Sequence, residues 1–281
     1  MLINDIHIES STICNGSCNM CPHKDMKRSG KMSFELFKKI ANEAIELGIP
    51  RITPFRLGEP FLFDDLYKWL DYLDGKPIVV SLFTNGSMLS AEHARQLEKY
   101  SNQILMTISF HGYDKQSYES TVHLNYEKTR NSIIEFITNI KNIPVVIYCL
   151  LKPQDADKAE MFNALWSGYN FCGVGTAQPM EWAGKRKICE TKLDFMKENP
   201  DKYYRVPCDY VLHHMDVTFD GKVCLCCVDS DGEIIFGDLN YQTITEIYNS
   251  SYYQFYLEQH NKNGGIDLPL CSKCSINIET I

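Results

Sequence analysis

Three cysteines fall within eight residues, in the stretch Cys14-Asn15-Gly16-Ser17-Cys18-Asn19-Met20-Cys21, directly after an apparent strand from Asp5 to Thr12. The spacing Cys-x3-Cys-x2-Cys gathers three soft thiolate ligands on one short loop, which suits an iron–sulfur cluster or a thiolate-rich zinc site. With no fourth cysteine nearby, the loop leaves one metal position open to a small molecule. An open position belongs to reactive sites rather than structural ones. The alternative is half of a structural zinc site, completed by His23 or by a distant cysteine pair.

A chain of 281 residues that is 44% hydrophobic can bury one large core, or one core and a small appendage. No apolar run approaches the ~18 residues of a membrane helix. The start, Met1-Leu2-Ile3-Asn4-Asp5, lacks the basic region and apolar stretch of a secretion signal. A net charge of −8 argues against a nucleic-acid partner, whose phosphates demand a basic face. The twelve cysteines bunch at 14/18/21, 224/226/227 and 271/274, which favours metal ligation in a reducing compartment over disulfides. A cytoplasmic protein is expected.

Strand and helix patterns alternate along the first two thirds. Strands are expected at Ile6–Ser11, Arg51–Arg56, Pro77–Phe83, Gln103–Phe110, Pro144–Leu151 and Phe171–Ala177. Between them, helices are expected at Ser33–Leu47, Phe63–Leu73, Ser90 to Tyr100, Tyr126–Ile140 and Asp155–Trp166, with Ser33 and Ser90 as N-caps and Gly48 ending the first. Apolar strands separated by amphipathic helices imply a parallel sheet under a helical layer. Six such units are too few for a closed eight-fold barrel, and the candidate residues fall after strand ends, where barrel enzymes carry their sites. From Lys185 to Pro207 no strand pattern is visible. A hairpin turning at Asp220-Gly221, with His213 and His214 in its strand, and one helix from Thr243 to Gln259 complete the expected order.

The cysteine loop after the first strand resembles the radical S-adenosylmethionine (radical SAM) superfamily. So do Leu57-Gly58-Glu59-Pro60 after the second strand, Thr84-Asn85-Gly86 after the third and Ser109 at the end of the fourth. The resemblance implies an α/β fold, a partial (β/α)6 TIM-like barrel over residues 1–185, followed by a linker and a small α+β twitch or SPASM-like domain over 186–281. It implies that Cys14, Cys18 and Cys21 hold a [4Fe–4S] cluster whose fourth iron binds SAM. In the same way Glu59 is expected to accept a hydrogen bond from the SAM amino group, and Asn85 and Ser109 to meet its carboxylate or ribose. Met20 departs from the family, where an aromatic residue is common, yet its backbone can still line an adenine site.

The tail repeats the theme. Gly221-x4-Cys226, together with Cys208, Cys271-x2-Cys274 and Phe236-Gly237-Asp238-Leu239, resembles SPASM and twitch domains. No cysteine follows Cys274, so one auxiliary [4Fe–4S] cluster is expected, ligated by Cys208, Cys226, Cys271 and Cys274. Cys224 or Cys227 remain alternatives to Cys226, and a zinc ribbon remains an alternative to the cluster.

The layout resembles dehydrogenases of aminoglycoside biosynthesis. By that resemblance a 5′-deoxyadenosyl radical takes a hydrogen atom from a small polar substrate, such as a sugar or cyclitol. The auxiliary cluster then accepts the second electron, and a flavodoxin- or ferredoxin-type protein serves as reductant. Glu181 and Arg186, beyond the sixth strand, are candidate acid/base groups; His111 is a weaker candidate for substrate contact, and His213 and His214 are bystanders. One alternative is an epimerase in which a thiol, Cys172 first among Cys149, Cys172 and Cys189, returns a hydrogen atom. Another is a peptide-modifying enzyme like the sulfatase-maturing ones, although the first strand begins too early for a preceding leader-binding domain. A non-catalytic metal scaffold would need neither Gly58-Glu59-Pro60 nor Thr84-Asn85-Gly86.

Overall fold

The structure, a computed structural model, describes residues 1–171 and 173–281. Cys172 therefore lies outside the described residues. The barrel part runs β1 (Asp5–Ile8), α1 (Phe34–Glu46), β2 (Arg51–Thr53), α2 (Leu66–Leu73), β3 (Val79–Thr84), α3 (Ala91–Glu98), β4 (Ile104–Ser109), α4 (Lys115–Val122), α5 (Tyr126–Asn139), β5 (Val145–Leu150), α6 (Ala159–Trp166) and β6 (Gly173–Ala177). Strands β1 to β6 pair in sequence order and all in parallel, forming the expected partial barrel. Ser33 and Ser90 cap α1 and α3 as expected, each accepting a backbone N–H with its hydroxyl. Helix α4 escaped the sequence reading because its KQSYESTV carries little apolar periodicity; Asp114 starts it with a capping box.

Alternation along each strand separates two faces. Ile6, Ile8, Val80, Leu82, Met106, Ile108, Val145 and Ile147 are buried beneath the helices. There Phe37 of α1 stacks on Trp69 of α2 with ring centroids 3.8 Å apart. The opposite face is the inside of the half-barrel, and it is more polar and more open than the expected run of apolar strands. Leu105 and Val146 on it are 40% and 38% exposed, because no closing strands cover them.

The remainder of the chain continues the sheet. After α7 (Lys192–Glu198) and β7 (Tyr203–Arg205) come α8 (Asp209–His213), β8 (His214–Val217), β9 (Lys222–Cys224), β10 (Ile235–Asp238), α9 (Ile244–Tyr248), α10 (Ser251–Asn263) and β11 (Ile278–Thr280). Strand β8 lies parallel to β1, in register Asp5↔His214 to Ile8↔Val217, and β9 and β10 follow antiparallel. The nine-stranded sheet thus runs β10-β9-β8-β1-β2-β3-β4-β5-β6. The hairpin does turn at Asp220-Gly221, where Gly221 has φ +89. Three expectations need correction. His213 ends α8 and only His214 stands in a strand. Residues 185–207 do contain a strand, β7, a three-residue piece paired with β11 and too short to show a period. The single helix at 243–259 is two, because Ser250 caps a second one.

Inside the half-barrel, β1, β2 and β8 share a polar network. Thr53 Oγ1 donates to Asp5 Oδ1 at 3.0 Å, and Arg51 Nε sits 2.8 Å from Asp5 Oδ2. His7 lies 3.4 Å from both Asp5 and Asp216 and contacts His214 Nδ1 at 3.2 Å. Burial disfavours charging His7, but the carboxylates of Asp216 and Asp5 outweigh it and raise its pKa from 6.5 to about 9. A folded-state pKa above the unfolded one stabilises the fold fully below pH 6.5, and the contribution disappears as pH rises through about 9. Thermal unfolding followed anaerobically should accordingly weaken between those limits, by on the order of 3 kcal/mol at most. His7→Gln should flatten the profile, and a variant that keeps the wild-type slope would show that His7 is not its source.

Candidate active site and auxiliary metal site

The loop from Cys14 to Cys21 leaves the C-terminal end of β1 and is held by two neighbours. From α4, the carbonyls of Val122, Thr121 and Ser120 accept from Ser17 N, Asn19 N and Asn19 Nδ2 at 3.3, 2.9 and 2.8 Å. From the loop after β2, Glu59 N donates to Ile13 O at 2.7 Å. Gly58 is required there: a Cβ would stand 2.2 Å from Ser11 O.

Glu59 is 2% exposed and ties three motifs together. Its Oε1 accepts from Thr84 Oγ1 at 2.6 Å and Phe61 N at 3.2 Å, and its Oε2 from Asn85 N at 2.7 Å. Burial raises the pKa of its carboxyl, while these donors favour the charged form. A carboxylate has about four acceptor positions, so one is left for an external donor. Asn85 Nδ2 reaches Asn15 Oδ1 at 2.9 Å, and Asn15 Nδ2 reaches Ser87 Oγ at 2.8 Å. Asn15 and Ser87 were given no role in the sequence reading, where Thr84 entered only as part of Thr84-Asn85-Gly86; the position of Asn15 directly after Cys14 was the one available signal.

Burial and neighbouring thiols push Cys18 up to about 12, and burial with the Cys14 charge carries Cys21 to about 11. Such a trio is ionised only beside a compensating cation, and iron supplies that charge. The residues fit the cluster they are expected to hold. Beside the loop, a cleft of about 320 Å³ is lined by Met20, His111, Tyr113, Asp114, Lys152 and Asp155 among others. His111 Nδ1 accepts from Leu150 N at 3.2 Å, and burial lowers its pKa to about 4. The imidazole is neutral. Ser109 ends β4 on the inner face, with no side-chain partner among the described residues.

Glu181 and Arg186 stand away from this cleft. Glu181 is buried and accepts from Ser275 N at 2.5 Å and from Ser275 Oγ, next to Cys274. Arg186 pairs with Asp25, just beyond Cys21. The turn between them bends through three residues with positive φ, Trp182, Ala183 and Gly184.

In the tail, Cys208, Cys226, Cys271 and Cys274 line one cavity together with Ala183, His260 and Asn277. Cys224 and Cys227 are not among its walls; Cys224 donates to Asp216 O at 3.6 Å. Four thiolates around one cavity can hold either a tetrahedral zinc or a cubane cluster. The two sites are joined by Arg56, which the sequence did not mark. Fully buried, it bonds Asp216 Oδ1 at 3.1 Å and the carbonyls of Cys226 and Asp229 at 3.0 and 3.1 Å.

The Radical SAM superfamily profile matches residues 8–165. The chain belongs to the radical SAM superfamily. A profile of the SPASM iron–sulfur cluster-binding domain matches residues 208–275. This radical SAM enzyme accordingly uses a SAM-binding [4Fe–4S] cluster, SAM and auxiliary iron–sulfur chemistry in its tail.

The antilisterial bacteriocin subtilosin biosynthesis protein AlbA of Bacillus subtilis (strain 168) is 28% identical over 129 residues, 46% of this chain and 28% of that protein. The chain thus matches little more than a quarter of that relative's length. BtrN, solved with AdoMet and 2-DOIA, superposes with a TM-score of 0.67 at 16% identity, over 98% of this chain and 93% of its own. Streptococcus suis SuiB, bound to precursor peptide SuiA, gives 0.74 at 13% identity, over 98% and 71%. These two share the fold. No described helix is long and apolar enough to cross a membrane.

Replacing Arg56 with Met should destabilise the fold by about 3 kcal/mol, because Asp216 keeps only His7 as a cationic partner and the carbonyls of Cys226 and Asp229 lose their donor. The variant should also lose tail iron before amino-terminal iron. Unchanged stability and iron content would remove Arg56 from this linking role.

Proposed function

We propose that this radical SAM enzyme oxidises a small polar substrate, a sugar, cyclitol or similar polyol, by two electrons, with the auxiliary cluster as electron acceptor. The observation that carries the reading is the convergence of Cys208, Cys226, Cys271 and Cys274 on one cavity. Four thiolates would ligate all four irons of a cubane and leave an electron carrier with no open iron. The cleft beside Met20 supports the substrate class, since Asp114, Lys152, Asp155 and the ring of His111 offer hydrogen-bonding groups to hydroxyls or amines.

When bound, SAM would supply a 5′-deoxyadenosyl radical, with a flavodoxin- or ferredoxin-type partner as the source of the electron. The chain's residues position it. Cys14, Cys18 and Cys21 hold the amino-terminal metal. Glu59 uses its remaining acceptor position to orient the SAM ammonium through a charge-assisted contact, while Asn85, fixed through Asn15, and Ser109 face the carboxylate or ribose. Met20 flanks the adenine. Glu181 and Arg186 anchor the rim, binding Ser275 and Asp25 respectively.

A second reading keeps the chemistry and changes the substrate to a peptide side chain. The sequence similarity to AlbA favours it. Cys149 is fully buried on the helix-facing side of β5 and does not serve an epimerisation, a reading that then turns on Cys172 and the half-buried Cys189.

Anaerobically reconstituted enzyme, given SAM, reductant and a panel of aminocyclitols and peptides, should release 5′-deoxyadenosine together with a product lacking two hydrogens. Cys226→Ser should still cleave SAM while losing oxidised product. Solvent deuterium at the reacting carbon, with no change in oxidation level, would establish epimerisation instead.

A further inference from the structure

His260, on α10, is 1% exposed, and the oxidation described above gives it no part. Its ring is wedged between Gly265 and Cys271. A Cβ on Gly265, whose φ is +72, would come within 2.6 Å of the ring, so glycine makes the room. Nε2 lies 3.4 Å from Cys271 Sγ, an N–H···S distance. Nδ1 is buried with no partner among the described residues. As filling, an imidazole with one bare nitrogen is inferior to an apolar side chain of similar size, which carries no desolvation cost. Its contact with one particular sulfur explains its presence better.

We propose that His260 donates its Nε2–H to Cys271 Sγ and raises the reduction potential of the auxiliary cluster. The inference deepens the proposed function and rests on Cys271 being a cluster ligand. A ligand thiolate carries no proton, so the proton of the contact belongs to the imidazole, and Nδ1 is the bare nitrogen. After hydrogen-atom abstraction, the substrate radical must lose one proton and one electron to complete the oxidation. The electron goes to the auxiliary cluster, whose reduced form carries one more negative charge. A donor on a ligand sulfur stabilises that form more than the oxidised one, which raises the potential. Arg205, hydrogen-bonded to Asn277 Oδ1 at 2.9 Å and Ser272 O at 3.3 Å, brings positive charge to the same wall and acts in the same direction. Substitution of His260 leaves Arg205 in place and isolates the N–H.

The test is an EPR-monitored potentiometric titration of the anaerobic holoenzyme. His260→Leu should make electron uptake by the auxiliary cluster about tenfold less favourable, a fall of about 59 mV for one electron. The amino-terminal cluster should not move, and His260→Gln, which keeps an N–H donor, should stay near wild type. An unchanged auxiliary midpoint in His260→Leu with full iron content would overturn the proposal.

If the leucine variant loses its tail iron, a second measurement decides. The chain with Cys14, Cys18 and Cys21 all changed to Ala, labelled with 15N-histidine, is reduced and examined by pulsed EPR. A weak 15N coupling to the remaining cluster supports the hydrogen bond. No coupling, or the large coupling of a directly bound nitrogen, overturns it. Failure of the underlying reading is separately visible: wild-type protein would then carry about four irons per chain rather than about eight.

Discussion

One buried guanidinium holds this molecule in register. Arg56 follows β2, next to the Leu57-Gly58-Glu59 turn, and its side chain crosses β1 to reach Asp216 on β8 and the carbonyls of Cys226 and Asp229. A fully desolvated charge is costly, and these three partners, all from the tail, offset part of that cost, while Nη1 is left without a partner among the described residues. The same arrangement is repeated at smaller scale by Arg28, which pairs with Glu9 and donates to Ser230 O at 2.6 Å, while Glu9 also accepts from Phe219 N at 3.1 Å. Two arginines therefore align the loop that carries Cys226 with the loops that carry Glu59 and Cys14.

This wiring explains why the polar inner surface of the half-barrel persists. In a closed barrel, layers of aliphatic side chains would fill the middle. Here the strands present Asp5, His7, Thr53, His214 and Asp216 inward, matched by Arg51 and Arg56, and the helix-facing side alone supplies the apolar core. The stability of the sheet and the polarity of its concave side are thus assigned to opposite faces of the same strands.

Much of the architecture was written locally. Serine caps, strand alternation and the bunched cysteines each reflect short-range rules, and the order of β1 to β6 followed from them. What escaped the sequence was long-range. That β8 would join β1 depends on pairing across more than two hundred positions, which no local pattern encodes. Arg56 read as the end of an ordinary strand, and Glu181 as a candidate acid/base group, although its partner Ser275 lies 94 positions away. The four tail cysteines were recognisable by spacing and resemblance. The imidazole beside one of them was not, since a single histidine in a helix carries no signature until its neighbours are known.

Because β8 to β10 extend the sheet from its first strand, the tail is not a pendant module on a tether. Its cysteine cavity and the amino-terminal loop hang from one continuous hydrogen-bonded plate, with Glu181 and Ser275 as a second strut. The separation of the two cysteine sites is therefore set by strand register during folding, and no hinge between the two parts is needed to bring them together.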